Sequence, residues 1–419
     1  MTPRPTIPTP LLAELLADYA PLLEKIAAGA LEREVADELP REPMRWLADA
    51  GLGALRLPVE YGGRGASFTE LTQLWVEIAA ADANLVQAFR GHFACLEDRL
   101  WQHRHGHDQS RWLERFAAGQ IAGNAFSEVG TTQLGTQQTV IVRQPDGTYR
   151  LDGTKYYTTG TIFADWVEVY VQRHGDPVDE LPDGDEFASV VVAVTDPGVT
   201  VVDDWDGFGQ RGTGSGTTSF DGVLVEPADV VPFGRRFGYQ TALNQLNLLA
   251  TLAGIGRAAV RDAAEAVRGR ERNYSHANAA RVRDDPQVLD RVGQIAAKVY
   301  AAEAAVVRVA TAVDEAAAAP PGGFAAVNEI AEIESAAAQV AVTDLVLSAT
   351  TELFDTLGAS ATARGSALDR HWRNARTVSS HNPRILKSRV VGDHLVNGTP
   401  PPYRWRIGAT ERDQAWAGR

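Results

Sequence analysis

Asp369-Arg-His-Trp-Arg-Asn-Ala-Arg-Thr-Val-Ser-Ser-His-Asn-Pro383 ends on three polar residues, Ser380, His381 and Asn382, and none of the three is a carboxylate. An imidazole there is suited to proton exchange near neutral pH. The stretch follows three long Ala-rich segments, 247–268, 288–318 and 327–357. Their apolar residues recur at i, i+3 and i+4, which predicts helices, and Ala319-Pro-Pro-Gly-Gly-Phe324 separates the last two. Small faces of this kind suit close antiparallel packing and favour an oligomer over a lone bundle.

Further upstream the character changes. Between Ile121 and Phe233, Gly, Thr and β-branched residues dominate. Val140-Ile-Val-Arg, Tyr149-Arg-Leu, Trp166-Val-Glu-Val-Tyr-Val-Gln and Ser189-Val-Val-Val-Ala-Val-Thr predict strands. Asp146-Gly and Asp152-Gly supply turn signals, and 173–188 reads as an exposed loop. Before Gly119 the periodicity is helical again, as at Leu71, Leu74, Trp75 and Ile78. Leu57-Pro-Val-Glu-Tyr-Gly-Gly-Arg-Gly65 punctuates that block. The expected architecture is α+β in three parts: a helical domain over 1–120, a β domain over 121–233, and a helical bundle with a closing loop over 234–419.

Composition narrows the function. The chain has 419 residues, 44% hydrophobic and 22% charged, as a globular protein does. A net charge of -14 argues against nucleic acid or an anionic membrane as partner. No apolar run approaches a membrane helix, and the first eight residues do not read as a signal peptide. The single cysteine, Cys95, excludes an intrachain disulfide and fits a reducing cytoplasm. It reads as a small buried apolar residue. His103, His105 and His107 alternate along a helix end, which spreads them over different faces; they read as solvated, with no metal.

The block order, the 57–65 punctuation and the closing stretch resemble the acyl-CoA dehydrogenase fold over nearly the whole chain. Within it, Asp203-Asp-Trp-Asp-Gly-Phe-Gly-Gln-Arg-Gly-Thr-Gly-Ser-Gly-Thr-Thr218 is similar to the flavin-monooxygenase branch, the dibenzothiophene and dimethylsulfone monooxygenases. In the dehydrogenases the closing stretch usually carries a Glu base, where this chain has Ser380, His381 and Asn382. Some dehydrogenases place the base on the first bundle helix, but 239–256 holds neither Glu nor Asp. The resemblance therefore implies the oxygenase component of a two-component monooxygenase. A separate NAD(P)H-dependent flavin reductase would supply reduced FMN, with FAD the lesser choice. Oxygen would reach a sulfur, nitrogen or activated carbon of a small substrate through a flavin C4a-(hydro)peroxide. A cytoplasmic homotetramer is expected. The alternatives are a flavin dehydrogenase or oxidase with His381 as base, and a non-enzymatic flavin-binding member.

The same resemblance assigns residues. Asn124 and Ser127 in Asn124-Ala-Phe-Ser-Glu-Val-Gly130 would meet flavin or substrate. In Gly153-Thr-Lys-Tyr-Tyr-Thr-Thr-Gly160, Tyr157 would lie against the ring and the Thr159 hydroxyl would reach its reactive side. Trp205 would pack near the ring. Arg272, with Arg270 second, would bind the flavin phosphate opposite Ser360 and Thr362 of Gly358-Ala-Ser-Ala-Thr362. His92 and His381 would handle protons. Relatives often carry a second His three residues before His381; here that residue is Val378. Without the resemblance, Tyr156 and Tyr157 are ordinary strand aromatics, and the arginines are solvated helix-end residues.

Overall fold

A computed structural model describes residues 8–130, 135–175 and 186–403. Six helices come first: α1 (Pro10–Ala36), α2 (Arg41–Asp49), α3 (Phe68–Ala81), α4 (Leu85–Ala88), α5 (Arg90–Arg104) and α6 (Ser110–Ala117). Their starts are chemically marked. Thr9 caps α1 through Leu12 N–H at 3.1 Å, with Pro10 in the first turn. Ser67 and Glu70 form a reciprocal capping box on α3. The Asp314 carboxylate, from a distant helix, takes the next free N–H groups, Phe68 at 2.6 Å and Thr69 at 2.9 Å.

Eight strands follow: β1 (Ala122–Ala125), β2 (Val140–Arg143), β3 (Tyr149–Lys155), β4 (Trp166–His174), β5 (Phe187–Ala193), β6 (Val199–Val202), β7 (Thr217–Val225) and β8 (Val230–Pro232). The sheet order is β6-β7-β3-β2-β4-β5-β8, with β1 on β4. β1 and β2 lie parallel to β4 in succession, β1 beside Trp166–Val169 and β2 beside Gln172–His174. The chain leaves the β4 edge between them, at Ser127 and Glu128. Ile141, Leu151, Val169, Val190 and Phe220 form the sheet's own core. Sequence periodicity misses β1, β6, β7 and β8, because three are four residues or fewer and β7 is interrupted by Asp221-Gly222. Of the loop expected over 173–188, both ends belong to strands, and 176–185 fall outside the described residues.

The last five helices are α7 (Gln240–Gly269), α8 (Pro286–Ala318), α9 (Phe324–Glu352), α10 (Asp369–Ser379) and α11 (Arg384–Asn397). α7 starts seven residues before the expected Asn247. Gln240, Asn244, Gln245 and Asn247 break its apolar period, and Asn247 serves a neighbouring backbone instead of the core. α9 stops at Glu352, where a 3-10 turn over Leu353–Thr356 replaces its predicted last turn. Leu71, Trp75, Leu246, Ile255, Val306 and Val342 share one core, so the first and last helical blocks pack as a single body around α3 and α7. A buried charge network ties that body to the sheet: Arg236 pairs with Glu168 of β4 and lies 3.7 Å from Asp98 of α5. Cys95 is buried beside it, as expected of an apolar residue, and burial pushes its thiol up to about 12. His103 is only partly solvated: Nε2 meets the Tyr61 hydroxyl at 2.8 Å and Nδ1 accepts from Gln109 N–H. No helix among the described residues is long and apolar enough to cross a membrane.

Candidate active site

Two strand exits build one wall. Ser127 pairs with Tyr156, whose N–H donates to Ser127 C=O at 2.9 Å. Beneath them the buried Lys155 ammonium reaches Glu128 at 2.8 Å and Gln137 at 2.6 Å, and Glu128 accepts from Gln138 and Thr139 N–H. Tyr157 then turns the chain with φ +57, a left-handed conformation that costs a non-glycine residue about 1 kcal/mol. Its ring is half exposed and edge-on to Trp205, centroids 5.9 Å apart. Thr159 is buried, and its hydroxyl starts a chain: Ser215 Oγ at 2.8 Å, Thr213 Oγ1 at 2.7 Å, then Gln210 C=O at 2.7 Å. Gly160 has φ +79, and a Cβ there would run into the Ala88 carbonyl oxygen. Glycine thus lets the turn sit flush on α4.

Around this turn, on α4, α5, α7, β1 and the Gln210 loop, polar atoms are left without partners. Asn84 Oδ1, Gln87 Oε1, Arg90 Nε, Asn124 Oδ1, Gln210 Oε1 and Asn247 Oδ1 are all cut off from solvent and unbonded. The amide donors of three are engaged: Asn247 on Val86 C=O at 3.2 Å, Gln210 on Ala83 C=O at 3.1 Å, Asn84 on Asp82 at 2.9 Å. Their oxygens are left without a donor. Gly91 lets α5 close on Asn124, since a Cβ at Gly91 would lie 2.8 Å from Asn124 Oδ1. Unsatisfied buried polar atoms are scarce in folded proteins, and a cluster of them marks a place for a ligand.

The closing segment completes the enclosure. α10 is seated by Asn374 Oδ1, which accepts Gln210 N–H at 2.5 Å, and by Phe208 stacked on Trp372 at 5.8 Å. Beyond it, His381 N–H donates to Val378 C=O at 3.2 Å. His381 is exposed. Surrounding protein, then the Arg90 charge, holds its pKa down to about 3. It is neutral at physiological pH, so it serves as a hydrogen-bonding imidazole instead of a proton store.

His92 does not join the site. Its Nε2 meets Gly53 C=O at 2.8 Å, its Nδ1 accepts Ala122 N–H at 3.2 Å, and Phe116 stands edge-on at 5.0 Å. Burial pushes its pKa down to about 4. With both nitrogens committed to backbone, His92 is a clamp between β1 and the helical block, which corrects its expected catalytic role.

The expected phosphate residues lie at the far end of α7. Gly358 lies against the Arg270 guanidinium, 2.7 Å from a Cβ built there, and against Tyr274. Arg272 is exposed and offers only its carbonyl, to Arg270 Nε at 3.1 Å. Arg270, not Arg272, therefore faces the Ser360–Thr362 turn. Thr362 Oγ1 donates to Ala359 C=O at 2.7 Å, and Ser360 is exposed. Asn247 touches α4 beside Gly160, whereas Arg270 ends the same helix, about 35 Å away at 1.5 Å per residue. That is far beyond the reach of a ribityl phosphate. Within one chain the two groups of residues do not meet.

A cleft of about 650 Å³ opens between α1, the end of α3, α7 and α10, with Asn84 and Asn374 on its lining. Asp262, His371 and Arg370 line it. Asp262 accepts from His371 Nε2 at 2.9 Å and from Arg370. None of the expected site residues lines this cleft.

The family model for the acyl-CoA dehydrogenase N-terminal domain matches residues 19–120, and that for the C-terminal domain matches residues 248–383. The chain is 28% identical to a dibenzothiophene monooxygenase of Rhodococcus erythropolis, over 91% of this chain and 92% of that protein. It is 27% identical to the probable FMNH2-dependent monooxygenase SfnC of Pseudomonas putida, over 92% and 95%. The FMN-bound structure of TdsC from Paenibacillus sp. A11-2 superposes with a TM-score of 0.84 at 29% identity, covering 93% of this chain and 98% of that one.

Proposed function

The chain belongs to the flavin monooxygenases built on the acyl-CoA dehydrogenase fold, and on that premise we propose that it is the oxygenase component of a two-component system. A separate NAD(P)H-dependent reductase delivers reduced FMN, and a small organic molecule is oxygenated at sulfur, nitrogen or an activated carbon. One observation carries this over dehydrogenation: no carboxylate stands on the closing loop at Ser379–Pro383 or on the facing half of α7. Hydroxyls, amides and a neutral imidazole face the cleft instead.

Bound reduced FMN supplies the two electrons that split O2, one oxygen passing to the substrate and the other leaving as water. The residues fit that group. The Tyr157–Trp205 pair offers an aromatic bed, and Ser127 and Asn124 offer polar edges. The Thr159–Ser215 pair holds a hydroxyl in a dry pocket, where a preorganised donor is strongest. His381, neutral, holds a proton on one ring nitrogen and accepts at the other. Gly160 and Gly91 draw the walls together and keep out water.

The phosphate half of the site comes from a second copy in a homotetramer, through Arg270 with Ser360 and Thr362. The span along α7 supports this. So do Ile385, Leu395 and Val396 of α11, each at least 76% exposed, whose apolar surface fits association.

The test is rapid mixing of the protein, loaded anaerobically with reduced FMN, against oxygenated buffer. A lag before oxidised-flavin absorbance returns, absent without protein, is expected. Oxidation as fast as that of free flavin would refute the oxygenase reading and redirect the search to dehydrogenase or oxidase substrates.

A further inference from the structure

We propose that Arg90 is the recognition group for an oxyacid anion on the substrate, so that this chain takes small organic carboxylates, sulfinates or sulfonates. This rests on the monooxygenase reading and names the substrate class of that site.

Arg90 opens α5 with its Nε cut off from solvent and unbonded. Among the described residues no ion pair joins its guanidinium. Two buried arginines of the same body are paired: Arg56 with Glu97 and Arg236 with Glu168. Burial is the sole influence on Arg90, and pushes it down to about 10. It stays a cation at neutral pH, with its counter-charge missing. Arg90 is partly buried with its Nε dry; a charge drawn even part-way out of water is costly unless it is paired, and nothing among the described residues pairs it.

Its neighbours place it in the site. Ala88, two residues before, carries the carbonyl against which Gly160 packs, and Gly91, the next residue, closes on Asn124. Across the enclosure its charge reaches His381. Arg90 therefore stands on the helical wall, facing the closing loop. The proposed flavin contacts are on the strand wall, and the proposed phosphate cation is Arg270. A planar guanidinium with free N–H groups matches two oxygens of one acid group. Gln87 Oε1 and Asn124 Oδ1 are acceptors and cannot do this.

The test compares methanesulfonate with dimethyl sulfone, near-isosteres with and without charge, as ligands of the FMN-loaded protein. Calorimetry on the wild type should give roughly ten- to hundredfold tighter binding of the anion. Arg90→Met should erase the preference, bind FMN as the wild type does, and unfold at no lower temperature, because an unpaired, partly buried charge has been removed. Arg90→Lys should keep part of the preference. Equal binding of the two ligands by an FMN-binding wild type sinks this proposal alone. Loss of FMN affinity in Arg90→Met also overturns it and hands Arg90 to the flavin. A wild type that binds no FMN removes the oxygenase reading and this proposal together.

Discussion

Gly160→Ala isolates the contact on which the site's shape depends. Two costs combine. The φ of +79 is strained for any side chain, at about 1 kcal/mol. The added Cβ would also overlap the Ala88 carbonyl oxygen, so the turn and α4 must part by more than about 1 Å to regain an ordinary carbon–oxygen separation. Overpacking of this kind costs about 1–3 kcal/mol. A shift of that size also breaks the 2.8 Å Thr159–Ser215 bond, for about 1 kcal/mol more. Gly51→Ala is the control: its φ is +82 and nothing lies within 4 Å of the new Cβ, so it carries the backbone term alone. Side-by-side urea unfolding should show Gly160→Ala roughly 3 kcal/mol less stable than Gly51→Ala. Only Gly160→Ala should shorten the lag before oxidised FMN appears, since about 1 Å of misplacement can cost a hundredfold in rate. Equal stability and equal lag in the two variants would falsify the packing argument.

Other expectations concern single residues. His92→Phe fills the same space but strands Gly53 C=O and Ala122 N–H, so it should lose about 2–4 kcal/mol of stability while the pH profile of oxygenation keeps its shape; a changed profile would restore a catalytic role. Arg270→Gln should raise the FMN dissociation constant about tenfold and Arg272→Gln hardly at all, with the reverse order refuting the assignment. Thr159→Val should divert reduced flavin towards hydrogen peroxide, measured as peroxide formed per substrate oxidised; unchanged coupling would remove the hydroxyl from the mechanism. Burial pushes the Glu332 carboxyl up from 4.5 to about 8, with Lys387 nearby only partly opposing it. A raised folded pKa gives stability that is full below 4.5 and is lost as pH climbs through 8. Glu332→Gln can still accept Ala242 N–H, so it should match the wild type near the low end and gain on it above the high end; a pH-independent difference in melting temperature would refute this.

The sequence by itself determined whatever depends on near neighbours along the chain. Helical spacing in the flanking blocks, β-branched runs between them, and the absence of a carboxylate from the closing loop and the start of α7 were all legible. The Tyr157–Gly160 turn was not: Tyr156 and Tyr157 read as strand aromatics, but β3 ends at Lys155 and Tyr157 turns the chain with φ +57. Tertiary structure alone decided which polar residues are left for chemistry. His92 and Arg90 are two residues apart in Arg90-Gly-His92, and the histidine drew the functional reading. Folding engages both nitrogens of His92 with backbone from Gly53 and Ala122, and leaves Arg90 Nε with no partner among the described residues. Arg270 and Arg272 are equivalent in spacing, yet only one faces Gly358. The length of α7 separates the proposed phosphate turn at Ser360–Thr362 from the Tyr157–Gly160 turn. The reason is common to all four cases: partners and desolvation come from segments far away in sequence, and a residue's availability is whatever those segments do not use.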